Sequence, residues 1–126
     1  MYPAEELKKR TRQFALRVVR MFRALPRTEE ARVLGKQVLR SATSVAANYR
    51  SACRARSRAE FVAKLGVVVE EIDETTFWLE MLVEAEIVPA KRMRALMLEA
   101  KELLAIFAAS QRTVRVRNVR KQTMEK

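Results

Sequence analysis

The amino-acid sequence predicts an all-α fold, an antiparallel up-down-up-down four-helix bundle. Three observations carry this expectation. Only two Gly and three Pro occur in 126 residues, a composition that favours long helices over strands and turns. Apolar residues make up 49% of the chain and recur at steps of three and four. Four such periodic runs are separated by short breaks, and short connections place successive helices side by side and opposed.

The first run follows Pro3, a residue that an opening helical turn tolerates. Leu7, Thr11, Phe14, Val18, Phe22 and Leu25 then fall within about 40° of one line at ~100° per residue, which is a core stripe. Lys9, Arg12, Arg20 and Arg23 occupy the opposite face, together with Leu16, which a lone bundle does not need there. Pro26 ends this helix.

Thr28 followed by Glu29 and Glu30 reads as a second start, a hydroxyl cap with acids at the positive end of the helix dipole. Leu34, Val38, Ser41, Ala42, Val45 and Tyr49 continue the spacing, and the small side chains from Ser41 to Ala47 allow a neighbouring helix to approach closely. The break is expected at Ala55–Arg58, where Ser57 and Glu60 form a capping box. The third helix carries Phe61, Leu65, Val68, Ile72, Thr75, Leu79 and Leu82, flanked by a second apolar set that includes Val62, Val69 and Val83. Phe77, Trp78 and Met81 widen it, so this helix should be covered on more than one side. Pro89 marks the next turn, and Arg92–Ala109 reads as the fourth helix with Leu96, Leu103, Ile106 and Phe107 inward. The expected division is a bundle over 1–111 and a basic, flexible tail over 112–126, where the periodicity fades.

Charge is sorted along the chain. Residues 59–89 hold eight acids and one lysine, whereas every other segment is basic, for a net charge of +11. A basic surplus of this size points to a polyanion such as nucleic acid. Catalytic chemistry is poorly supplied. With no His there is no Ser–His or Cys–His nucleophile pair and no His-ligated metal. Gly35 and Gly66 stand alone, so neither a P-loop nor a dinucleotide fingerprint can be written. Cys53 is the single cysteine, which excludes an intrachain disulfide and a thiolate zinc site. No enzyme activity, cofactor or metal is expected. The longest uncharged stretches are nine residues, far short of a membrane span, so the expectation is a soluble, cytoplasmic protein.

Two groups of residues stand out as candidate sites. Arg50, Arg54 and Arg58 at the end of the second helix, with Arg112, Arg115, Arg117, Arg120 and Lys121 in the tail, are candidates for phosphate contacts. The first three also suit a solvated or intersubunit patch. Arg40, Asn48, Glu70, Glu71 and Glu74 are candidates for a structural polar cluster between the second and third helices; a carboxylate pair for catalysis, or a divalent-metal site on Glu70, Glu71, Asp73 or Glu74, is the weaker reading.

The run Gln37-Val38-Leu39-Arg40-Ser41-Ala42-Thr43-Ser44-Val45-Ala46-Ala47-Asn48 resembles the Q-L-x-R-[SA]-[AG]-x-S-[IV]-x-x-N signature of a bacterial four-helix-bundle family, whose founding members are encoded in intervening sequences of large-subunit ribosomal RNA genes. The likeness extends through Arg54, Arg58, Glu60 and Phe61 to Leu65 and Glu74. It implies a homo-oligomer, a pentamer, related to basic barrel-shaped accessory proteins of diversity-generating retroelements, which bind nucleic acid and a reverse transcriptase. Many members follow the Asn with Ile-Ala-Glu-Gly; Tyr49-Arg50-Ser51-Ala52 stand here instead, so the second helix is expected to run one or two turns further. Two functions follow as expectations: a non-catalytic oligomeric accessory protein that binds RNA or DNA nonspecifically, or a structural module whose partner is a protein such as a reverse transcriptase.

Overall fold

The computed structural model describes the backbone of residues 2–125 and the side chains of residues 2–117 and 120. Within them the chain forms four helices and no strand: α1 (Ala4–Arg23), α2 (Glu29–Cys53), α3 (Arg58–Glu84) and α4 (Ala90–Glu125). Their ends follow from local chemistry. The Thr28 hydroxyl accepts a hydrogen bond from the Ala31 N–H, and Ser57 accepts one from the Glu60 N–H, so both expected caps close a first turn. The Glu60 carboxylate reaches one residue further back than a capping box requires, to the Arg56 N–H. α2 ends at Cys53, five residues past Asn48, where no glycine interrupts it. α3 stops in a Schellman turn: the Ile87 N–H bonds the Leu82 carbonyl, the Glu86 N–H bonds the Val83 carbonyl, and Glu86 takes a left-handed φ of 60°.

α2 and α3 share the largest interface, α3–α4 and α1–α2 follow, and α1–α4 is the thinnest; the backbones of α1 and α3 do not meet among the described residues. The core lies along the middle of this arrangement. Phe14 and Val18 from α1, Val38 and Val45 from α2, Leu65 to Leu82 from α3 and Met93 to Phe107 from α4 are buried. The inward stripe of α3 is Leu65, Val68, Ile72, Thr75, Leu79 and Leu82, the residues their spacing selects. On α1 the stripe holds through Val18, but Phe22 and Leu25 are only half-buried, because α1 ends at the rim. There α1 and α2 come close: a Cβ on Gly35 would stand 2.5 Å from Leu25 and 3.0 Å from Phe22. Each buried Val, Leu or Phe side chain contributes about 1.5–3 kcal/mol by leaving water.

The fourth helix departs from expectation. It continues to Glu125, so the expected boundary at residue 111 falls inside it, and 112–125 are helical rather than irregular. The physical reason is twofold. No Gly or Pro follows Pro89, and Arg, Lys, Gln and Met are good helix formers. The inner stripe also extends further than Phe107, since Val114, seven residues on, packs against the core.

Candidate nucleic-acid interface

The end of α2, the start of α3 and the middle of α4 meet at one pole of the molecule. Tyr49, Cys53, Phe61, Leu65, Phe107 and Thr113 line a single cavity there. The rings of Tyr49 and Phe107 lie 5.0 Å apart across it. Gln111 passes beside Gly66, and Thr113 shares the cavity wall with Phe61 and Leu65, so this stretch of α4 lies against the first turns of α3. Arg50, Arg54 and Arg58 flank this cavity in sequence on α2 and α3, and Arg112, Arg115, Arg117 and Arg120 follow on α4 in the turns next to Thr113. All seven are exposed, and none is in an ion pair among the described residues. Lys121, the eighth expected contact, lies outside the described side chains.

Arg50 and Arg54 also border a second feature that sequence reasoning did not single out as a site. A groove of about 640 Å³ runs between the outer faces of α1 and α2. Ala15, Ala46 and Ala47 line it with Leu16, as do Lys9, Arg12, Arg50 and Arg54 and the ion pair of Lys8 with Glu5. The signal was present as the basic outer face of α1. What was missing was the docking of α1 on α2 that brings Arg12 and Arg50 to one groove.

The expected polar cluster is brought together only in part. The Arg40 guanidinium pairs with Glu71 at 3.2 Å and with Glu74, and the Trp78 indole N–H donates to Glu74 at 3.0 Å. Asn48 is not part of it: its amide bonds the Ser44 carbonyl and hydroxyl within α2, both at 2.9 Å. Eight residues past Arg40 it stands about 12 Å further along the helix. Glu70 is exposed and joins no ion pair among the described residues, because Glu71, Glu74 and Trp78 hold the face toward α2 and Glu70 points a quarter-turn away. Arg40 occupies both carboxylates that face it, an arrangement that ties α2 to α3. Among the described residues no three Cys, Asp or Glu side chains converge as metal ligands would.

A second inter-helix bridge was not anticipated. The Arg10 guanidinium on α1 makes two hydrogen bonds to the Glu99 carboxylate, at 2.6 and 3.1 Å, and lies 3.2 Å from Glu102. Bonding to Glu99 raises the already high pKa of Arg10, so its charge is permanent. Glu99 and Glu102 are the only acids of α4 before Glu125, and that isolation was the available signal.

The sequence model described as 23S rRNA-intervening sequence protein matches residues 5–109. Among solved structures the chain is similar to a Bacteroides thetaiotaomicron protein of unknown function from the S23 ribosomal protein family. The identity is 31% over 86% of this chain and 97% of that one, with a TM-score of 0.80. No curated protein matches it.

Proposed function

This chain belongs to the 23S rRNA-intervening sequence protein family, and from that footing we propose that it is a non-catalytic, self-associating accessory protein that binds RNA or DNA without sequence preference. One observation carries the nucleic-acid reading: seven exposed arginines at one pole, none neutralised by a carboxylate among the described residues. Guanidinium groups bind phosphate oxygens in a bidentate manner, and contacts of this kind position a backbone without reading bases. Affinity then comes from released counterions.

The helices run alternately up and down in this reading. Support comes from the residue pairs across each interface: Arg40 with Glu71 and Glu74, Gly66 with Gln111, and Arg10 with Glu99 and Glu102. Self-association, as the pentamer that the family resemblance implies, is supported by large apolar side chains left outside: Leu16 is 48% exposed and Phe77 51%. A cytoplasmic setting fits the composition; among the described residues no helix is long and apolar enough to cross a membrane.

The test is binding to a random-sequence RNA and to duplex DNA from low to physiological salt. The logarithm of affinity should fall linearly with the logarithm of salt, by about 0.9 per phosphate contacted on duplex DNA and about 0.7 on single strands. If neither binds at low salt, this reading fails. A protein partner, such as a reverse transcriptase, then becomes the better account of the same exposed Phe77 and basic surplus.

A further inference from the structure

We propose that the cavity between the end of α1 and the turn from α3 to α4 is a binding site for a free amphipathic anion, a carboxylate carried on a hydrocarbon body.

This cavity lies at the end of α3, whereas the one beside Tyr49 lies at its start. Its volume of about 420 Å³ is typical of small-molecule sites. The wall has two parts. Met21, Leu25, Ile87 and Val88 are only half-buried and supply an apolar floor. Arg17, Arg20 and Arg92 supply charge, and no carboxylate lines the cavity. None of these arginines is in an ion pair among the described residues.

The docking of α1 on α4 explains why the cations are left together. Arg10 meets Glu99 and Glu102. About two turns further along α1 stands Arg17, and about two turns back along α4 from Glu99 stands Arg92. At the first level base meets acid; at the second, base shares a cavity with base. Arg17 is half-buried, so its repulsion by the other two is less screened than on an open surface. An anion seated among them relieves it.

The ligand needs both of its halves. A nucleic-acid phosphate would satisfy the guanidiniums and leave the apolar floor in water. A neutral hydrocarbon would cover the floor and leave the cations uncompensated. A carboxylate on a hydrocarbon body does both, with its head paired to guanidinium and its chain along Met21, whose unbranched side chain adapts to it. A lipid surface is the poorer source of such a head group, because none of the exposed large apolar side chains lines this cavity to enter a bilayer.

The experiment is calorimetric titration of decanoate, below its micellar concentration, into the full chain in whatever assembly it adopts. Decanoate should bind saturably. Acetate keeps the head without the body and 1-decanol keeps the body without the charge, so each should bind at least about tenfold more weakly. Arg17→Gln and, separately, Arg92→Glu should each weaken decanoate binding at least about tenfold, with the helical circular dichroism unchanged. Arg92→Glu also places an acid where base shares the cavity with base, so it should raise the unfolding midpoint of the unligated protein, which a damaged fold could not do. A free-anion site is ruled out if decanoate does not bind, if acetate or 1-decanol binds as well, or if either variant binds decanoate like wild type. If Arg17→Gln spares decanoate binding but weakens capture by random-sequence RNA or by phosphatidylglycerol vesicles, these arginines hold a phosphate backbone or a lipid surface instead. RNA binding by wild type without decanoate binding would overturn this site alone and leave the nucleic-acid reading standing.

Discussion

The Thr75 hydroxyl on α3 lies 2.9 Å from the Ser41 hydroxyl on α2, and both side chains are fully buried. Each hydroxyl has one proton to give. The Glu71 carbonyl lies 2.7 Å from Thr75 and the Val38 carbonyl 3.3 Å from Ser41. The shorter route runs from Ser41 to Thr75 to Glu71, and it satisfies both hydroxyls with neither proton used twice. The bridge sits directly below the Arg40 pairs with Glu71 and Glu74, so one level of the α2–α3 interface is fixed in register from its interior to its surface.

Replacing either member leaves the other with its own carbonyl partner. Ser41→Ala and Thr75→Val should therefore each cost about 0.5–1.5 kcal/mol, not the larger penalty of an orphaned buried group. The double variant should cost less than the two together, since the shared bond can be removed only once. Urea denaturation of the four chains in the cycle reads this directly. Strict additivity would mean that the two hydroxyls do not interact.

Tyr49 supplies a pH dependence. Burial first, and the neighbouring Cys53 thiol second, push its phenol well above the ordinary value of 10.0. A group whose pKa is raised on folding contributes stability that is complete below its unfolded value and is lost as pH climbs from there toward the native one. The protein should lose stability as pH rises beyond about 10, and Tyr49→Phe should lose less over the same interval. Denaturation midpoints at pH about 8 and about 11 measure the difference. Parallel losses in both proteins would assign the alkaline sensitivity to other groups.

The turn after α3 holds a residue in an unfavoured conformation. Glu86 has a φ of 60°, where an L side chain crowds its own carbonyl at a cost of roughly 1–2 kcal/mol and glycine does not. The two Schellman hydrogen bonds to Leu82 and Val83 hold it there. Glu86→Gly should stabilise the protein by about 1 kcal/mol, less the entropy glycine gains when unfolded, while Glu86→Ala should not. Thermal unfolding of the two variants beside wild type distinguishes them.

Much of the fold was legible because short-range patterns suffice for it. The α3 stripe from Leu65 to Leu82 repeats faithfully, and Thr28 and Ser57 cap for reasons contained within four residues. The longer reach of α4 was concealed by its exposed charges, although Val114 continues the line of Phe107. The candidate site was less legible, since it depends on which helices adjoin. Arg10 reaches Glu99 and Arg12 stands near Arg50 only once α1 has docked between α2 and α4. The pairing of Arg40 with Glu71 and Glu74 rather than Glu70 depends on the phase and level at which α3 meets α2, which composition does not reveal.

That same geometry decides how the arginines of α4 should be tested. Truncation at residue 111 would remove Thr113 from the wall of the cavity beside Tyr49 and Phe107 and Val114 from the core, so weaker binding would be confounded with weaker folding. Arg112, Arg115, Arg117 and Arg120 are all exposed and can be changed to Gln together, with the helix and its inner stripe kept. The unfolding midpoint should then stay close to wild type, because surface substitutions away from structural features usually change stability by no more than ~0.5 kcal/mol. Binding to random-sequence RNA should weaken, and its salt dependence should become shallower by about 0.7 for each phosphate that is no longer neutralised. If each arginine neutralises one phosphate, the slope should flatten by about 3, and self-association would multiply the effect through the number of poles engaged. An unchanged slope in a folded protein would remove α4 from the interface. The phosphates would then have to be held by Arg50, Arg54 and Arg58 at the same pole.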